Sequence, residues 1–148
     1  MNTFQKYAPE WVLRLGFGFM FLYSGIDLIR HPTGWYWAVR PLPWFVQNII
    51  NMQIGIDRYL QMQGLSEIIF AIVFLAWFLP AWIVKIVSIL IAIEMAAILL
   101  LVGVSGDTFR DIGLLGGAIT LSLLLIQFKD NQRVESEKMA QYRNVIPS

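Results

Sequence analysis

Apolar residues gather into four blocks, at 10–29, 60–79, 81–104 and 110–128, and most polar residues fall between them. A helix rises about 1.5 Å per residue and a bilayer's hydrocarbon core is about 30 Å thick, so about 20 apolar residues suffice for one crossing. Each block approaches that length. The ten-residue alternation that marks barrel strands is absent, and in hydrocarbon an isolated segment satisfies its own backbone only as a helix. The pattern predicts an all-α fold: a single four-transmembrane-helix bundle at 1–130 and a polar C-terminal tail at 131–148.

The third block is the one around which the others are expected to assemble, because it carries Glu94 near its midpoint. A carboxylate facing lipid at that depth costs at least a few kcal/mol, on the order of 2.5–3.5 or more. Glu94 is therefore expected to face other helices, hold a proton or have a partner. Its helix is apolar all round, so periodicity assigns it no face.

Composition agrees with the pattern: 57% of residues are apolar and only 14% charged, which excludes an ordinary soluble domain. The net charge of +1 says little, but its distribution says more. Four spans put Lys6, Arg14, Lys85, Lys129, Arg133, Lys138 and Arg143 on one side, and Arg30, Arg40, Arg58 and Arg110 on the other. That bias places both termini in the cytoplasm. No basic tract with interleaved aromatics points to nucleic acid. Without cysteine, thiolate and iron–sulfur chemistry are excluded, and a single histidine excludes a bis-histidine haem within the chain.

Within the first block Pro9 and Glu10 suit a helix's first turn, and Arg14 is expected to snorkel toward headgroups. Gly16, Gly18 and Gly25 allow close helix contact, and His31–Pro32 ends the helix. Between 32 and 59, Trp35, Tyr36, Trp37 and Trp44 form a tryptophan-rich interfacial belt. A short interfacial or re-entrant helix there would turn Phe45, Ile49, Ile50 and Ile54 to the membrane. This long connection caps one end of the bundle, where a ligand would enter. Asp107 is a candidate cap for the fourth helix, and Gly113, Gly116 and Gly117 give it a small-residue surface.

By topology, Tyr23, Asp27, Glu67, Glu94, Arg110 and Asp111 converge on one outward-opening site, with Gln63 and His31 nearby. Several acids in a low dielectric need a proton or a counter-charge. Such a site suits a quinone headgroup, a proton relay, an amine or a hard cation; equally, Arg110 pairs with Asp27 or Glu67 merely to lock helices. No zinc site is expected from carboxylates without histidine.

The stretches 14–28 (RLGFGFMFLYSGIDL), 64–80 (GLSEIIFAIVFLAWFLP) and 110–124 (RDIGLLGGAITLSLL) resemble the DoxX-like family of small four-helix membrane proteins. The resemblance covers about 11–126 and carries over to Arg14, Gly25, Glu67, Arg110 and Asp111. Leu28 stands where many relatives have lysine, and 82–85 lacks their threonine–arginine start. The resemblance implies a bacterial or archaeal inner-membrane subunit of a redox system. Such a subunit binds quinone or another small hydrophobic ligand, holds no covalent cofactor, and works with another membrane or peripheral redox protein or as a homo-oligomer. A structural or assembly subunit of a larger membrane complex is the rival expectation, since fold does not settle function.

Overall fold

Long apolar runs become long helices in the computed structural model, which describes residues 3–106 and 108–145. Helix α1 runs Thr3–Arg30, α2 Tyr36–Val39, α3 Trp44–Ile49, α4 Ile56–Leu75, α5 Ala81–Val102 and α6 Phe109–Val145. A 3₁₀ turn at Pro32–Trp35 leads into α2, and a π-helical stretch at Ile50–Ile54 extends α3. Helix α1 starts earlier than expected, so Pro9 lies inside it rather than in its first turn. Gly103, at φ 82°, ends α5 two residues before the expected boundary. The expected cap, Asp107, lies outside the described residues. The neighbouring Thr108 closes the α5–α6 turn: its hydroxyl donates to the Gly103 carbonyl (2.7 Å) and accepts from the Ser105 amide (2.8 Å).

Among the described residues three helical segments, not four, are long and apolar enough to cross a membrane: Ala8–Arg30, Ala81–Val102 and Phe109–Gln127. This corrects the four-span bundle. The expected span at 60–79 fails because α4 carries Asp57, Arg58, Gln61, Gln63, Ser66 and Glu67, and is continuously apolar only at 68–75. The helix then stops at Leu75. Trp77 and Phe78, which lengthened the apolar block in sequence, lie in the turn and are exposed. With three spans in place of four, the inference that both termini share a side loses its basis.

Helix α4 nonetheless pairs antiparallel with α1. A Cβ on Gly25 would meet the Gly64 carbonyl oxygen at 2.6 Å, and one on Gly64 would meet the Gly25 carbonyl oxygen at 2.7 Å. The two backbones approach this closely only because neither residue has a side chain. Gly18 lies against Leu75 and Gly117 against Phe17, whereas Gly16, Gly113 and Gly116 face open space. The glycine surface expected on the last helix is therefore used within the chain only at Gly117.

The core joins Phe17 and Phe21 of α1, Phe74 of α4, Val84 and Ile91 of α5, and Leu121 of α6. Phe17 and Phe74 stack with centroids 5.5 Å apart. A second cluster joins Leu28, Val39, Ile50 and Leu60 and ties the connection to the end of α1. Elsewhere Val12, Phe19, Ile93 and Leu100 are exposed along the spans. That surface suits lipid, as expected of an integral membrane protein with several apolar spans.

Arg14 does not snorkel. It is 4% exposed and sits at the C-terminus of α4. Its Nε donates to the Phe74 carbonyl (3.0 Å), Nη2 to the Ala76 carbonyl (2.7 Å) and Nη1 to the buried Glu10 carboxylate (3.2 Å). Its guanidinium lies 4.3 Å from the Trp11 ring centroid. The last carbonyls of a helix have no intrahelical donors, and a planar fork with five N–H groups can satisfy several at once.

Candidate functional site

Three elements bring polar groups together in the half of the bundle away from Arg14. The Gly25–Gly64 approach sets Ser24 of α1 beside α4, where Ser24 and Gln63 both face the Glu67 carboxyl. The Gln63 amide also donates across to the Glu94 carboxylate of α5. One glutamine thus lies between two acids on different helices. Glu67 Oε2 is buried without a hydrogen-bond partner among the described residues. Tyr59, one turn before Gln63, lies near enough to Glu94 to feel its charge.

Arg110 is near enough for its charge to act weakly on Glu67, and Glu94 acts on Glu67 as a like charge. The Arg110 guanidinium lies 5.9 Å from the Trp37 ring centroid, and Trp37 stacks on Trp35 at 5.8 Å. Asp111 is buried beside it, its carboxylate 3.9 Å from Arg110 Nε. The tryptophan-rich connection and the start of α6 therefore meet at Arg110.

Asp27 is engaged elsewhere. One of its oxygens accepts from Trp35 Nε1 (2.8 Å) and the other lies 3.0 Å from His31 Nδ1. These bonds turn the chain out of α1 into the connection and hold Trp35 in place for Trp37. Tyr23 points out of the bundle, 77% exposed. Depth groups Asp27 with the acids and helical spacing adds Tyr23 to it; Ser24, between them in sequence, is the α1 residue that reaches Glu67. Sequence pattern alone singles out neither Ser24 nor Tyr59. The signal for Ser24 was its position next to Gly25, the residue that sets the α1–α4 approach.

No family model, curated protein or solved structure matches the chain. Its class rests on its own features: a small all-α protein with several helices able to span a membrane. Among the described residues no group of three or more histidine, cysteine, aspartate or glutamate side chains is arranged to hold a metal ion.

What the arrangement can do chemically follows from its donor set. Two carboxyls can each hold or release a proton, Gln63 and Ser24 fix their orientation, and Arg110 offers a permanent positive donor. These groups are chemically able to exchange protons and to stabilise a partly negative oxygen.

Proposed function

We propose that this chain is a DoxX-like membrane subunit of a redox system that holds the polar head of a small hydrophobic ligand, a quinone, between Glu67, Glu94 and Arg110. The observation that carries the reading is Glu67 Oε2, a buried acceptor without a partner among the described residues, within range of the charges of a second acid and of Arg110. A buried polar atom left unpaired is costly; as a carboxylate oxygen it would accept from a quinol hydroxyl, and when protonated it would donate to a quinone carbonyl. A quinone, when bound, supplies the two-electron chemistry. Glu67 and Glu94 hold the protons at its oxygens, Gln63 keeps the Glu94 carboxyl turned into the site, and Arg110 stabilises negative charge on oxygen as an oxyanion donor does. The electron-transfer centre belongs to a partner protein.

The test is native mass spectrometry of protein extracted gently from its own membrane, with absorbance scanning of the extracted lipid. Stoichiometric quinone is expected in the wild type and in Tyr23→Phe, and is lost in Glu67→Gln and Arg110→Met. A wild-type protein that carries no quinone refutes the reading. Persistent association with another membrane protein instead would favour an assembly or accessory subunit.

A further inference from the structure

The segment Trp44–Ile54 has apolar side chains on two faces, and the chain covers only one. Ile50, 3% exposed, points inward with Leu42 and Val46 into the cluster around Leu28 and Leu60. On the other side Trp44, Phe45, Ile49 and Met52 are 75, 50, 53 and 84% exposed. Phe45 and Ile49 are four apart on one face of the α-helical part, Met52 is exposed in the π-helical turn that follows, and Asn48, Asn51 and Gln53 lie exposed beside them. The apolar pattern alone turns Ile50 and Ile54 to the membrane together with Phe45 and Ile49. The structure instead buries Ile50 and puts Met52 on the outer side.

We propose that this segment lies in the plane of the bilayer surface, with the Phe45–Ile49–Met52 stripe and Trp44 seated at the boundary between headgroups and acyl chains of one leaflet. Depth carries the argument. The inner face rests on Leu28, in the last turn of the span Ala8–Arg30, so the segment is fixed at the level where that span leaves the hydrocarbon. An apolar stripe at that level continues the lipid-facing surface of the spans, and tryptophan is suited to it. The seat is also braced. The Gln47 amide donates to the Arg40 and Leu42 carbonyls, both at 2.8 Å, and Gly55, at φ 84°, redirects the chain into α4. Residues 44–54 include no charged side chain, so apolar burial holds the segment in place rather than attraction to anionic lipid.

The natural absence of cysteine allows a direct test with the full chain. Single cysteines at Phe45, Ile49 and Met52, each carrying a nitroxide, are reconstituted into phosphatidylcholine vesicles and compared with a label at the exposed Asp57. Power-saturation electron paramagnetic resonance then measures collision with oxygen, which concentrates in lipid, and with a water-soluble nickel chelate. Oxygen is expected to dominate at all three stripe positions, at matching shallow depths about 5–10 Å into the boundary. The nickel chelate is expected to dominate at Asp57, and the depths should not change with added salt. Dominance of the nickel chelate at the stripe would place it in water and overturn the proposal. Low collision with both reagents would mean that protein covers the stripe, and would overturn it equally. Because these positions are already exposed, the labels displace no packed side chain.

Discussion

Replacing Arg14 tests the idea that a buried guanidinium holds α1 to the end of α4. Arg14→Met keeps most of the side-chain volume but removes two charge-assisted hydrogen bonds to the Phe74 and Ala76 carbonyls and leaves the buried Glu10 without its partner. Hydrogen bonds to charged groups contribute about 1.5–3 kcal/mol each, and breaking a buried ion pair from one side costs about 3–5 kcal/mol. These terms overlap because both count the desolvation of the same Arg14 guanidinium, which the substitution removes, so the expected loss is about 4 kcal/mol. Arg14→Lys keeps the charge but not the fork, and should lose about half of that. Stability is read from equilibrium unfolding in mixed micelles of rising sodium dodecyl sulfate, followed by circular dichroism. The double variant Glu10→Gln/Arg14→Met should recover at least about 1 kcal/mol relative to the sum of the two single changes. A loss below about 1 kcal/mol for Arg14→Met, or strict additivity in the cycle, would refute the reasoning.

Further expectations concern the α1–α4 contact, the acid pair and the connection. Gly64→Val forces a side chain into the Gly25 carbonyl and Leu28 and should destabilise by about 3 kcal/mol or more, whereas Gly16→Ala, with open space around it, should be neutral or stabilising by up to about 1 kcal/mol; the same unfolding assay separates them. Gln63→Leu strips Glu94 of its donor and should cost about 1–3 kcal/mol, much of it recovered by adding Glu94→Leu. At the surface, the Tyr36 hydroxyl donates to Asp57 at 2.6 Å, and this bond holds the Tyr36 phenol above its ordinary pKa. Because the folded value is the higher one, the bond's contribution is fully present below about pH 10 and lost as pH rises through the raised value. Ultraviolet titration should show a raised phenol step removed in Tyr36→Phe and shifted down in Asp57→Asn; unchanged titration in both would refute the link.

The all-α architecture and the α5 span could be read from the chain because uninterrupted apolar length needs no tertiary information. The span count could not. In sequence, residues 76–79 extend the apolar run of α4, yet in the fold they form the turn, and the first half of α4 packs on α1 at Gly64 while its Asp57, Arg58 and Gln61 stay exposed. Depth along a helix predicted that Glu67 and Glu94 approach one another, since both lie well inside their helices. Direction around a helix was not legible where every face is apolar, and only Gln63 shows which way Glu94 turns. Arg14 was misread for a related reason: the carbonyls that hold it come from residues 60 and 62 positions away. On α1, Tyr23 and Asp27 share a stripe by spacing, but the bonds of Asp27 to His31 and Trp35 belong to the turn, not to the acids.

The order of pairing has a consequence for how the chain folds. Helices α5 and α6 are joined by a short turn, so they can meet by local search. Helix α1 must instead find α4 across the whole Pro32–Ile54 connection, a slower non-local closure. The entropy of closing a flexible loop grows only logarithmically, by about 0.6 kcal/mol for each doubling of its length. The length of that connection is therefore nearly irrelevant to stability. Its composition is not, because Val39 and Ile50 pack on Leu28 and Leu60 and so link the last turn of α1 to the first turns of α4. A glycine–serine segment of equal length would preserve the topology while slowing the assembly of the α1–α4 pair.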